Sequence, residues 1–340
     1  MKLKPLRQQT LVITGASSGN GLATAREAVR RGAAVVLAAR NGPALGTIAA
    51  DLRSSGGRVA ICIADVAIAE DVERIAEVAE REFGGFDSWI NNAAAATYGT
   101  MEQVSLADHR RVFDVNYFGV LQGSLVAARQ LRTRGGGAII NIGSVLSDRP
   151  MILQGPYSAT KHAVKAATDA LRMELERDGA GISVTLIKPA AIQTPYPDHA
   201  RNYMEAAPQL PPPLYDPSLV ADAILFACEH PRRQIYVGGG GYLISLTGQL
   251  MPRLTDKAME MFGAASQKKK GGDADGAARD NLYEPRSDGD VHGSDGGKVR
   301  QSSLLLEVQK NPFVLPFAAA SLALSGLALL RHRRRARRII

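Results

Sequence analysis

Short apolar, β-branched runs alternate with helix-length stretches of three-to-four-residue apolar spacing from residue 10 to residue 237. That alternation predicts a doubly wound α/β domain built on a parallel sheet with right-handed helical crossovers. The first run, Thr10-Leu11-Val12-Ile13-Thr14, reads as a buried strand. Glycines at 15, 19 and 21 follow it, and Leu22, Ala25, Ala28 and Val29 then fall at helical spacing. Further strands are expected at 34–39, 59–64, 87–90, 138–142, 182–187 and 235–237. Helices are expected at about 20–31, 43–55, 69–83, 105–133, 156–178 and 217–229.

Strand, glycine turn and helix together can bring a pyrophosphate against the free amides of a helix N-terminus. The second strand ends at Arg40, roughly 20 residues past the glycine turn, where such folds choose between a ribose 2′-hydroxyl and a 2′-phosphate. No carboxylate lies between Val35 and Ala50, so Arg40 points to NADP(H) rather than NAD(H), against the plainer reading of a solvated strand end. The third strand runs into Asp65 and the fourth into Asn91-Asn92-Ala93, polar groups at the carboxyl ends that line the ligand crevice of a parallel sheet. Tyr157 and Lys161 lie four residues apart at a predicted helix start and so share one face. A nearby ammonium favours tyrosinate, which lets one phenol both give and take a proton.

In Thr14-Gly15-x3-Gly19-x-Gly21, Asp65, Asn91-Asn92-Ala93, Asn116, Ser144, Tyr157-x3-Lys161 and Pro189 the chain resembles the short-chain dehydrogenases/reductases over residues 1 to about 237. The resemblance implies a Rossmann-type sheet of seven strands in the order 3-2-1-4-5-6-7. It implies an oxidoreductase moving a hydride between NADP(H) and an alcohol or carbonyl. Tyr157 would be the general acid/base and Lys161 would lower its pKa and hold the nicotinamide ribose; Ser144 would hydrogen-bond the substrate oxygen, and Asn116 would help anchor a proton path. The cofactor would be held by Gly15, Ser17, Ser18, Gly19, Gly21, Arg40, Asp65, Val66, Asn92, Ala93, Pro189, Ile192 and Thr194 together with Tyr157 and Lys161. Three positions depart from the family pattern: Asn20 replaces an aliphatic residue, and Ala94 and Ala190 replace glycines, which puts the loop shape over the cofactor in question.

The enzyme domain is expected to span 1–262, with a proline-punctuated substrate lid at about 195–217 and a helical extension at 239–262. Residues 263–311, rich in Lys, Gly, Asp and Ser, read as a disordered linker. An uncharged run at 312–330 followed by the basic tail 331–340 suggests a C-terminal membrane anchor. Its eighteen residues from 313 to 330, at 1.5 Å each, span about 27 Å, just enough for a hydrocarbon core, and a docked helix in an oligomer is the competing reading.

Charge separates the tail from the body: of the net +8, residues 266–340 carry +6 and residues 1–265 only +2. That favours anionic lipid over nucleic acid as the tail's partner. With no signal-like segment before the first strand, the catalytic domain is expected in the cytoplasm. A homo-oligomer acting on a lipophilic small molecule is expected. A soluble carbonyl reductase whose tail serves assembly, and a catalytically idle NADP(H)-binding scaffold, are the alternatives. Six scattered histidines show no metal-ligand spacing, and Cys62 and Cys228 read as buried thiols.

Overall fold

The structure is a computed structural model that describes residues 2–273, 280–286, 288–294 and 297–311. Seven parallel strands form its sheet: β1 Thr10–Thr14, β2 Ala34–Ala39, β3 Arg58–Ile63, β4 Ser88–Asn91, β5 Gly137–Ile142, β6 Ile182–Pro189 and β7 Gln234–Val237. Their order across the sheet is 3-2-1-4-5-6-7. Leu11 sits opposite Val35, and Ile90 opposite Ile13 and Ile140. Because side chains alternate along a strand, Leu11, Ile13, Val35 and Leu37 pack into one helical layer while Val12, Val36 and Ala38 pack into the other.

The first layer holds α1 Gly19–Arg30, α2 Gly42–Ser54 and, after the other layer has been laid down, α7 Pro217–Glu229, which bury Leu22, Ile48 and Ile224. The second holds α3 Ala69–Phe83, α4 Leu106–Phe113, α5 Gly119–Thr133 and α6 Gly155–Arg177. A π-helical turn, Asp114–Phe118, joins α4 to α5 and turns Asn116 inward.

The chain crosses from β3 back past β1 to reach β4, so the sheet's topological switch lies between β1 and β4. A crevice opens there outside the carboxyl ends. Gly15, Arg40, Asn92 and Ala190 follow directly on strand ends, and Asp65 and Ser144 come one residue later.

The segment expected as a lid holds a short helix, Tyr196–His199, and the short strands Arg201–Asn202, Ala206–Pro208 and Leu214–Tyr215. These pair respectively with Thr97–Tyr98, Lys268–Asp273 and Val299–Arg300. The helical extension is present as α8 Gly239–Leu250 and α9 Pro252–Ala258, followed by a π turn, Met259–Gly263.

The expected disordered linker at 263–311 differs from what its described residues show. They pair with the lid, cross the crevice, and end in a helix, α10 Leu304–Lys310, that is capped by Ser303 and buries Leu306 in the core. Polar composition suggested disorder, but the polar groups here satisfy backbone and charge elsewhere in the fold. The Gln309 amide accepts from the Tyr236 N–H and donates to the Tyr236 carbonyl, both at 2.9 Å, closing part of the free edge of β7. The anchor candidate 312–330 and the basic tail 331–340 lie outside the described residues, among which no helix is long and apolar enough to cross a membrane.

Candidate active site

The glycine turn is fastened from β4. Thr14 Oγ1 accepts from the amides of Asn92 (3.0 Å) and Ala93 (3.1 Å), and Asn92 Nδ2 donates to the carbonyls of Thr14 and Gly15, both at 3.0 Å. Gly15 is left-handed at φ 64°, and a Cβ there would meet Ala93 Cα at 2.7 Å. At Gly21 a Cβ would stand 2.1 Å from the Gly15 carbonyl oxygen. The backbone is therefore packed as closely as a phosphate cradle requires, with Ser17 buried and Ser18 at the N-cap of α1. Gly21→Ala must push the turn outward; overpacking of this kind costs about 1–3 kcal/mol, so nucleotide affinity is expected to fall roughly tenfold or more. Titration of NADPH fluorescence checks it, and unchanged affinity would contradict the cradle.

Arg40 stands at the mouth of the crevice, where it donates to the carbonyls of Asn281, Leu282 and Tyr283 (2.8 Å to the last). Burial lowers its pKa, against the raising influence of Asp65. Asp65 accepts from the Ala67 amide at 3.0 Å and from Arg111 at 2.5 Å, and Val66 lies beside it on the cavity wall. Arg111 is 46 positions away in α4, and no sequence spacing pointed to it.

Gly155 and Pro156 open α6, so Tyr157 and Lys161 fall one turn apart on the face toward β5. The Tyr157 phenol hydrogen-bonds Ser144; burial raises its pKa and the Ser144 bond pulls the other way. Lys161 is buried, with Nζ donating to the Ile142 carbonyl at 2.7 Å and standing 5.4 Å from the Tyr157 ring centroid. Burial pushes its pKa down to about 8. The ammonium thus sits beside the phenol as the spacing implied, but in this structure the group acting directly on the phenol is Ser144.

Asn116 accepts from the Ala95 amide at 2.7 Å and donates to the Ala95 carbonyl (2.9 Å) and Thr160 Oγ1 (3.0 Å). It ties the segment after β4 to the helix that carries Tyr157 and Lys161.

One cavity of about 350 Å³ joins these groups, running from Ala38, Arg40, Asp65 and Val66 past the glycine turn to Ser144, Tyr157 and Lys161. Pro189, Ile192 and Thr194 form its floor, with Thr194 Oγ1 donating to the Ile192 carbonyl at 3.3 Å. Asn20 lines the cavity, and among the described residues its buried Oδ1 has no hydrogen-bond partner. Ala94 and Ala190 keep ordinary negative φ values, since Leu153 is the only described non-glycine residue in the left-handed region. Ala190 fits because Gly238 and Gly241 face it: a Cβ on either would lie 2.8 Å from the Ala190 Cβ.

Behind the site Asp148 accepts from Lys188 (3.0 and 3.1 Å), Lys165 and the Tyr236 hydroxyl (2.8 Å), a cluster that sequence gave no sign of. Around the substrate end the Tyr157 and Tyr196 rings meet edge to face at 5.3 Å, and the Tyr196 hydroxyl donates to Gln154 at 2.9 Å. Leu146, Met151, Leu210 and Ile244 complete an apolar wall.

Residues 9–204 match the short chain dehydrogenase family. A protein of Bacillus subtilis described as the uncharacterized oxidoreductase YxnA is 41% identical over 95% of this chain and 91% of its own length. Among solved structures, a short-chain dehydrogenase/reductase from Burkholderia phymatum in complex with NAD superposes with a TM-score of 0.67 at 27% identity, covering 75% of this chain and 96% of that one. L-sorbose reductase from Gluconobacter frateurii, complexed with NADPH and L-sorbose, gives a TM-score of 0.60 at 26% identity over 70% of this chain and 97% of that one.

Proposed function

The chain belongs to the short-chain dehydrogenase/reductase family and is a nicotinamide-dependent oxidoreductase acting on a small molecule; from that premise we propose that it is an NADP(H)-dependent carbonyl reductase or alcohol dehydrogenase for a lipophilic substrate. The observation that carries this is the single cavity that has a glycine cradle and Arg40 at one end and the Ser144, Tyr157 and Lys161 side chains against an apolar wall at the other.

When bound, the cofactor supplies or accepts the hydride at the substrate carbon. Tyr157 gives the proton to the substrate oxygen, and Ser144 donates a second hydrogen bond there. Both bonds strengthen as negative charge builds on that oxygen, so they favour the transition state over the ground state. Burial keeps the phenol protonated at neutral pH, the form a reduction needs. Lys161, fixed by the Ile142 carbonyl, is mostly ammonium below about pH 8, where it holds the ribose side of the groove and favours tyrosinate once the proton has left. Asn116 acts through Thr160 and Ala95 as a positioning residue. Gly15, Ser17, Ser18, Gly19, Gly21, Asp65, Val66, Asn92, Ala93, Pro189, Ile192 and Thr194 would hold the dinucleotide, since all but Gly21 line the cavity.

The cofactor choice rests on the Arg40 guanidinium lining the cavity and on the lack of any carboxylate between Val35 and Ala50, the stretch where an acid for a ribose 2′-hydroxyl would stand. Hydrogen bonds to a charged group are worth about 1.5–3 kcal/mol, so Arg40→Asp is expected to shift the NADPH/NADH ratio of kcat/KM roughly 10- to 100-fold toward NADH. A ratio that does not move would show that Arg40 is not the selector.

The lipophilic substrate is supported by Leu146, Met151, Tyr196, Leu210 and Ile244. We further propose a homo-oligomer with its catalytic domain in the cytoplasm, associated with membrane lipid through the C-terminal segment. Exposed Leu243, Leu246, Leu250, Leu254 and Phe262 on and just after α8 and α9 support contact with a second copy or a lipid surface.

A further inference from the structure

Residues 280–286 and 288–294 lie beyond the point where a domain of this fold is complete, yet they cross the mouth of the cofactor groove. We propose that this segment is the outer wall of the dinucleotide site, so that NADP(H) binds enclosed between it and the glycine turn. The proposal rests on the cofactor reading above.

Two anchors hold the segment. At its start Leu282 is fully buried against the second helical layer. The Tyr283 ring is flanked by the guanidinium groups of Arg201 (5.1 Å) and Arg111 (5.9 Å), and its hydroxyl donates to Asp108 at 2.8 Å. Asp280 completes this anchor, accepting from Arg201 at 2.8 Å and from the Leu282 amide at 2.9 Å.

At the far end the segment meets the glycine turn itself. Ser17 Oγ donates to Asp288 at 2.8 Å, the Gly289 amide donates to the Ser17 carbonyl at 3.0 Å, and the Gly19 amide donates to the Asp290 carbonyl at 2.9 Å. Between the anchors the chain passes over Arg40 and Asn41, which donate to its carbonyls.

The segment spans the groove without filling it. Ala38, Asp65, Val66 and Val115 line the cavity from the sheet side; Asn281, Pro285, Arg286 and Asp288 line it from the other. The space between them is where the sheet topology places the adenosine half of a dinucleotide. A ligand there meets two guanidinium groups, Arg40, which directly follows β2 and also donates to the wall's carbonyls, and Arg286 from the wall. Among the described residues Arg286 gives one hydrogen bond, to the Asp198 carbonyl, of the five a guanidinium can donate. The one acid of the wall that lines the cavity, Asp288, is turned to Ser17 and lies 3.5 Å from His199. This chemistry suits a 2′-phosphorylated adenosine, and leaving the site requires the wall to release one of its anchors.

Limited trypsin digestion of the full chain tests this, with cleavage after Arg286 followed by mass spectrometry of the new terminus and NADP⁺ binding measured in parallel by displacement of NADPH fluorescence. Enclosed cofactor stabilises the closed wall by mass action, so saturating NADP⁺ is expected to slow cleavage there roughly tenfold or more. Faster cleavage would mean that the cofactor displaces the segment, and unchanged cleavage with binding observed would mean that the two do not meet; either overturns the proposal and leaves the cofactor reading intact. No binding of NADP⁺ or NAD⁺ would sink the cofactor reading and this proposal with it. In Leu282→Asp the first anchor is lost, and stopped-flow dissociation of NADPH is expected to quicken about tenfold. An unchanged dissociation rate in a folded variant would also overturn the wall.

Discussion

Tyr157→Phe lowers kcat by about 10²–10⁴-fold, the range that a positioned general acid supplies, while the affinity for NADP(H) stays within about threefold. The phenyl ring keeps the edge-to-face contact with Tyr196 at 5.3 Å, so the wall of the pocket survives. What disappears is the proton at the substrate oxygen, where Ser144 can still donate one hydrogen bond. The pH profile carries the same argument. Burial raises the Tyr157 pKa, so the phenol stays protonated through neutrality, whereas Lys161, pushed down to about 8, loses its charge above that value. Wild-type reduction should therefore be level up to about pH 8 and fall beyond it. Steady-state kinetics with NADPH and an apolar ketone across pH 6–10 measures both. A kcat for the variant within tenfold of wild type would remove Tyr157 from the proton step.

Asp148→Asn costs about 3–5 kcal/mol of stability, the usual result of removing one partner from a buried ion pair. Lys188 is about 1% exposed, and its nitrogen depends on Asp148 for two contacts near 3 Å; the other partners, Gln234 and Tyr236, are neutral. Burial alone would raise the Asp148 carboxyl, but hydrogen bonds from Lys165, Lys188 and Tyr236 outweigh it and hold the pKa below its ordinary value. A depressed folded pKa gives a contribution complete above the unfolded carboxylate pKa near 4 and lost as pH falls through the folded one. The gap between wild type and variant in urea unfolding should then be full at pH 7 and narrow below about pH 4. A difference under about 1 kcal/mol at pH 7 would show that the cluster is structurally idle. Because Asp148 directly follows the turn Val145–Ser147 that begins at Ser144, a milder loss of kcat should accompany the loss of stability.

What was legible in the chain is what local pattern encodes. β1 is a five-residue apolar run followed by glycines, and both its position and the turn after it are where the pattern put them. Tyr157 and Lys161 were legible because one turn of helix fixes their relation whatever the rest of the chain does. Arg111 could not be read as the partner of Asp65, nor Asp148 as that of Lys188, because each pair is made by packing across layers and no spacing records it.

Ala190 looked like a departure that disturbs a loop. Its compensation lies 48 and 51 residues on, where Gly238 and Gly241 leave room for its methyl group. The segment past 262 misled for a different reason. Composition reports how much apolar surface a stretch can bury, and here few apolar groups are used: Leu282 and Leu306 are buried, while carbonyls and amides do the rest.

The three short strands of the lid have a further meaning for how the protein behaves in a crowded solution. Two of them, Ala206–Pro208 and Leu214–Tyr215, take their partners from Lys268–Asp273 and Val299–Arg300. A chain cut at 262 would keep the catalytic groups and leave those edges, and that of β7, with open N–H and C=O groups, the templates on which separate molecules pair with one another. The segment past 262 thus also closes these edges to strand pairing with another molecule.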